Sequence, residues 1–540
     1  MAVTEPLEPN LGVAFEDLSK GVALAEILKL PAAPYAIAAS AHRQFDYIEK
    51  YVRRPDLGIL DGAADSESRS ILVENHYIDR DYIEDHSAFY SKNVHPYPNH
   101  CRRVHFFAMT KAELKQSLNQ LAIANAKPSR GSTSDDRADL ENRYIGFCVI
   151  KPLDGTPVGR TVLRPLKQSG PNDRYARSFE GTRDYTVHVL GVELSIQGLA
   201  FQQQDVGVSA CATTALWSSL HKIHDHEHVT LATPAQITAL ACQYSLPFGR
   251  PMPSEGLSLD QMCQAVHALG LAPDLIPVRG KAETARSIIH SAVNSGFAPV
   301  LLLKYPDNSG HAVCVVGEKL SPGKQAGSSC DTPGGAKFPY VDDSENLAGV
   351  YFHDDRLGPY LVGDIQGRGS AVPKLSFEYD APNGVKTDNP EITHLLIPIH
   401  HKVRLSFLPL REIAIQATVD ALIFADEVDA DLATRTLAGN PPRVRTWIQK
   451  SHRYVESLVR NSGLTNPSSL LEQWACLRVP RYCGIVRTNI LGNTYDIVID
   501  CTSTRRNPNF VATVGHANTL AEAFSRELAR RMKCPAIVTS

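Results

Sequence analysis

Between residues 200 and 366 the hydrophobic period of this chain changes once, and that change restricts the folds open to it. The stretch "FQQQDVGVSACATTALWSSL", residues 201–220, opens a segment in which Ala212, Leu216, Leu220 and Ile223 recur at three-to-four spacing. Such spacing is the mark of a helix with one buried face. Further on, "APVLLLK", "HAVCVVGE", "GVYFHDD" and "PYLVGDIQ" are short apolar runs that read as strands. A helical first half and a strand-bearing second half make residues 200–404 one compact unit of mixed helix and sheet.

With 540 residues, the chain is longer than one hydrophobic core supports, so several domains are expected. Residues 1–140 read as a mixed helical module ending in a loop or linker, "NAKPSRGSTSDDRAD", at 125–139. Residues 141–199 are rich in strand patterns, including "RYIGFCVIKPL", "GRTVLRPL" and "YTVHVLGVELSIQGL". Residues 319–348 carry so many Gly, Ser and Pro that they read as an insertion between two strands. Residues 405–540 form a last module of helices ("REIAIQATVDALIFADEVDADLATRTLA", "TWIQKSHRYVESLVRNSG") and a hairpin turning at Gly492 and Asn493.

The chemistry resides in the central unit. Ser209 can cap the helix, which puts Cys211 in its first turn, where backbone amides and the positive end of the dipole favour a thiolate. A thiolate attacks carbonyl carbon; a thiol hardly does. The tetrahedral oxyanion then needs donors: the Cys211 amide is one, and a side-chain amide from Gln204 or Gln203, seven and eight residues upstream, suits the second. His311, at the start of the strand "HAVCVVGE", can act as base, and strand alternation turns Cys314 to the opposite face, into the core. Asp354 or Asp355, at the end of "GVYFHDD", can orient the imidazole.

With these residues in the order Gln, Cys, His, Asp, the chain resembles the papain-like cysteine peptidases. It is most similar to the cytosolic bacterial relatives of the double-glycine leader peptidases, through "QQQDVGVSACATTAL", "GLSLDQMCQAVHALGL", "APVLLLKYPDNSGHAVCVVGE" and "FHDDRLGPY". The resemblance covers roughly residues 200–365. It implies an α+β fold: a papain-like domain of N-terminal helices and C-terminal antiparallel sheet, flanked by N- and C-terminal α/β modules. It also implies roles: Cys211 the nucleophile, His311 the base, Asp354 its orienting partner and Gln204 the oxyanion donor. Gln203 and Asp355 are the alternatives. Asp354 is preferred because Gly358 follows it at the family's spacing. The implied activity is a cysteine protease that cleaves a peptide or isopeptide bond through a thioester and uses no metal or organic cofactor. A transamidase or deamidase with the same triad, or a silent scaffold, are the other readings.

A net charge of −3 gives no global signal for nucleic acid or an anionic membrane. The basic stretch 441–460, with Trp447 and Tyr454, reads as a solvated helix face. "HKIHDHEH", with His224 and His228 one turn apart, reads as a solvated helix end rather than a metal site. His95, His100, Cys101 and His105 lie among prolines and carry no stronger metal signal. The early apolar segment is interrupted by Glu26, Lys29, Pro31 and Pro34 and reads as packed helix, not a membrane span. Eleven cysteines without a CxxC pair indicate reduced thiols in the cytoplasm. A protein or peptide substrate is expected, with the flanking modules available to a regulatory partner; nucleic acid and membrane are not expected partners. Phosphate-binding glycine loops and a serine-nucleophile elbow are both lacking. Without a transporter or membrane segment, export-linked leader processing is disfavoured.

Overall fold

The structure, a computed structural model, describes residues 12–18, 24, 36–57, 68–126, 133–153, 155–167, 174–205, 207–208, 210–243, 252, 256–321, 328–331, 337–381, 383–428, 441–461, 468–490, 493–504, 507–516 and 519–538. It is an α+β protein built on three main sheets. No described helix is long and apolar enough to cross a membrane.

The first third of the chain contributes β1 (Val13–Asp17), α1 (Ala36–Val52), β2 (Ser70–Tyr77), α2 (Arg80–Ala88), β3 (Cys101–Phe107), α3 (Lys111–Ala126), α4 (Thr133–Arg143), β4 (Tyr144–Ile150) and β5 (Val158–Leu163). Strands β1 to β5 form one antiparallel sheet in chain order. Every residue of β4, "YIGFCVI", is buried, as expected of a continuous apolar run covered on both faces. The boundary expected at 140/141 therefore falls between two paired strands, β3 and β4. Part of the expected linker is helix: Asp135 and Asp136 in the first turn of α4 and Arg143 in the last complement its dipole. Residues 127–132 lie outside the described residues.

A short strand β6 (Ala176–Ser178) and the hairpin β7 (Arg183–Val189) and β8 (Val192–Gly198) lead into the central unit. In β8 the alternation is strict: Val192, Leu194 and Ile196 face inward, Glu193, Ser195 and Gln197 outward. Then come α5 (Cys211–Glu227), α6 (Pro234–Ala241), α7 (Leu259–Ala268), β9 (Leu271–Pro277) and α8 (Ala282–Asn294). A capping box between Ser258 and Gln261 starts α7. The remaining strands are β10 (Val300–Lys304), β11 (Gly310–Leu320), β12 (Ser328–Asp331), β13 (Lys337–Asp342), β14 (Leu347–Asp354), β15 (Gly358–Gln366), β16 (Lys374–Ala381), β17 (Gly384–Asp388) and β18 (Glu391–His400). A nine-stranded sheet runs in the order β17-β16-β15-β14-β11-β10-β18-β9, all antiparallel, with β6 added beside β11.

The last part holds α9 (Phe407–Val428), β19 (Arg443–Lys450), α10 (Ser451–Asn461), α11 (Ser468–Ala475), β20 (Tyr482–Ile490), β21 (Asn493–Asp500), β22 (Phe510–Gly515), α12 (Thr519–Met532) and β23 (Ala536–Val538). Its sheet runs β12-β13-β19-β20-β21-β22-β23, so the insertion's own strands extend the C-terminal sheet, β13 lying parallel to β19. "TWIQK" is strand rather than the expected helix. Val444, Thr446, Ile448 and Lys450 alternate inward along β19, and the helical period begins only at Ser451. Asn493, expected in the turn, is instead the first residue of β21, paired with Ile490; Gly492 lies outside the described residues.

Two stretches expected to be solvated are packed against each other instead. His221, His226 and Glu227 at the end of α5 are buried, as is Lys450. The Glu227 carboxylate accepts from His226 Nδ1 at 2.7 Å and from the Tyr482 hydroxyl, and Lys450 Nζ lies 3.4 Å away. Lys450→Met strips one cation from a buried carboxylate and is expected to cost about 3 kcal/mol in urea melts. Glu227→Gln in the same chain should restore part of that loss, because the uncompensated charge is then gone.

Candidate active site

Helix α5 begins at Cys211 because the extended Ala210 holds the N-cap position. Ala210 supplies no side-chain acceptor to the first-turn amides. Ser209, the expected cap, lies outside the described residues. The apolar face Ala212, Leu216, Leu220 and Ile223 is buried, with Trp217 beside it. Cys211 itself stays partly accessible, whereas Cys314 is buried against the core and its thiol is pushed well up by that burial.

His311 stands at the start of β11, after a tight turn in which Asn308 takes the left-handed conformation and Ser309 bonds Asp307. Its Nε2 donates to Asp354 Oδ2 at 3.0 Å, while Asp355 Oδ1 is 3.5 Å from the same nitrogen. The Cys211 side chain is near enough to favour the charged form of the imidazole as well. With Nε2 committed to Asp354, Nδ1 is the ring nitrogen left for the thiol.

Burial alone would disfavour the imidazolium. The Asp354 charge and hydrogen bond outweigh it, with smaller contributions from Cys211 and Asp355, and His311 is raised to about 10. Burial would likewise raise Asp354, but the His311 charge and hydrogen bond, and then Arg356, hold its carboxyl well below the usual carboxylate range. Asp355 goes the other way. Desolvation raises it, the neighbouring Asp354 charge adds to that, and His311 only partly offsets both. Both Asp355 carboxylate oxygens are buried without a hydrogen-bond partner among the described residues.

The turn between β14 and β15 fixes this arrangement. Arg356 N donates to Asp354 Oδ1 at 2.9 Å and Leu357 N to Asp354 O at 3.0 Å. Gly358, paired with Asp354, has a positive φ of 149°, and a Cβ there would sit 2.5 Å from Tyr47 Cδ1. Only glycine fits both demands. Arg356 also donates to the Tyr305 hydroxyl at 2.7 Å, walling one side of His311.

Of the two glutamines, Gln203 is buried and tied to β5. Its backbone amide donates to Val158 O at 3.0 Å and its Oε1 accepts from Val158 N at 3.3 Å. Gln204 is half-buried. Asp205 shapes the loop between them and Cys211. Its Oδ1 accepts from Gly207 N and Val208 N, and its Oδ2 lies 3.3 Å from the buried Lys151. That pair escapes a sequence reading because Lys151 comes from β4's far end; only the Asx-turn pattern "DVG" hints at it.

His311, Asp354 and Asp355 bring three possible ligand atoms within 4.8 Å of one another, the one such group among the described residues. The histidines weighed as alternatives are dispersed. His105 is buried against the Tyr144 hydroxyl and Glu74, His95 is exposed, and His224 bonds the Val229 carbonyl. Comparison with protein-family models, with curated proteins and with solved structures finds no match.

Proposed function

We propose that this chain is an intracellular cysteine hydrolase of papain-like fold that cleaves a peptide or isopeptide bond in a protein or peptide substrate. The observation carrying this reading is one buried imidazole set between a carboxylate and a helix-starting thiol: His311 donates to Asp354 at 3.0 Å, and the Cys211 side chain adds to the influences that favour the charged ring. Cys211 attacks as thiolate while His311 holds the proton. The oxyanion forms against the Cys211 amide and the Gln204 side chain. His311 then passes its proton to the leaving amine, and water, deprotonated by the same ring, releases the thioester. Asp354 keeps the ring in the tautomer that both transfers need. The modules at 1–199 and 405–540 select the substrate or receive a regulatory partner.

Alkylation by chloroacetamide, followed by mass spectrometry, tests the reading. At neutral pH Cys211 should react at least about tenfold faster than the exposed Cys476, because Cys211 alone of the two has an imidazole base beside it. A silent scaffold predicts equal rates, and equal rates would sink the enzymatic reading.

A further inference from the structure

The peptide unit joining Asp355 to Arg356 is held at both ends. Its N–H, on Arg356, donates to Asp354 Oδ1 at 2.9 Å. Its carbonyl, on Asp355, accepts from Gln44 Nε2 at 2.7 Å, across 311 positions of sequence. A peptide group is planar, so fixing the carbonyl direction fixes the N–H direction opposite to it. Gln44 is fully buried, and its own Oε1 has no partner among the described residues, so this bond sets the orientation of its amide.

The rest of α1 reinforces that contact. Tyr47 covers Gly358, and Tyr51 stacks on Tyr360 at 5.3 Å while its hydroxyl donates to Arg164 O. Tyr360 has a positive φ of 55°, a strained state for an aromatic residue that persists only where surroundings impose it. Helix α1 therefore packs directly onto the segment that presents Asp354.

We infer that Gln44 is a positioning residue for the Asp354–His311 pair, acting through the Asp355–Arg356 peptide. This rests on the reading of Cys211, His311 and Asp354 as one catalytic unit. When Gln44 cannot donate, the peptide is free to rotate. Asp354 then loses the amide that fixes one of its oxygens, and the other oxygen no longer fixes the imidazole. The N-terminal module thus sets the competence of a site whose other parts all lie beyond residue 200.

The test is the alkylation rate of Cys211 in the full chain, with Cys476 as internal reference. Gln44→Met keeps the volume and removes the donor; Cys211 should slow about tenfold, the worth of one buried hydrogen bond, with Cys476 unchanged. Gln44→Glu is isosteric and carries the test if the Met variant does not fold. Its introduced carboxyl still donates while protonated. Cys211 in that variant should therefore approach the wild-type rate at about pH 5.5 and fall well below it at about pH 8.5, as the buried carboxyl ionises. A merely structural role would not produce that pH-dependent rescue. If wild-type Cys211 outpaces Cys476 and a folded Gln44 variant keeps the wild-type rate at both pH values, the positioning role is overturned and the hydrolase reading stands. If wild-type Cys211 is no faster than Cys476, both fall together.

Discussion

Cys211→Ala is expected to lower hydrolysis of any peptide the wild-type chain cleaves by at least about 10^4-fold, since no other group can form the thioester. The loss should appear in kcat, read by a fluorogenic peptide assay, with urea melts close to wild type because Cys211 is only partly buried. His311→Ala should cost a comparable factor, and the double variant little more than either alone. Groups that act as one unit are not additive. An additive double loss would mean that the thiol and imidazole work independently, and the shared-imidazole reading would fail.

Asp354→Asn should reduce kcat by about 10^3-fold, because Arg356 N claims the single amide oxygen and the NH2 then faces Nε2, where it cannot accept from the ring. The same variant has a second signature in stability. The folded value of His311 is raised from 6.5 to about 10, so its contribution is full below about 6.5 and is lost as pH rises through about 10. Asp354 is depressed from 3.8, so its contribution is present above 3.8 and is lost only on acidification below that. The wild-type chain should therefore exceed Asp354→Asn in stability most between about pH 4 and 6.5, with the gap closing through about pH 10. Urea melts across that range measure it. A gap that widens with rising pH would contradict the assigned ion pair.

The central unit is largely legible in the sequence because its signals are local. A thiol at a helix start, a histidine at a strand start and an aspartate before a glycine turn each follow from a few residues of pattern. The placement of Cys314 in the core needs only the two-residue period of a strand. Legibility ends where the deciding partner is far away. Lys450 looks like one more basic surface residue until Glu227 is opposite it, more than two hundred positions earlier. "TWIQK" merges with the amphipathic helix that follows, because a short alternating run beside a strong helical period is easily overlooked. The insertion at 319–348 looks like a loop, yet β13 has a place in the C-terminal sheet that only β19 defines.

Residue type and local period were enough to single out the side chains chemically suited to the site, because they decide what can ionise, donate or attack. The resemblance already ranked Asp354 ahead of Asp355, but the physical reason for that ranking came from folding. Asp354 and Asp355 are adjacent and identical in kind, and the turn gives the carboxylate of one Arg356 N and His311 while leaving that of the other without a hydrogen bond among the described residues. Gln44 is an ordinary glutamine in a helix until folding sets it under the Asp355 carbonyl. A hydrogen bond depends on tenths of an ångström and on direction, and those are fixed by packing across the whole chain rather than by neighbours along it.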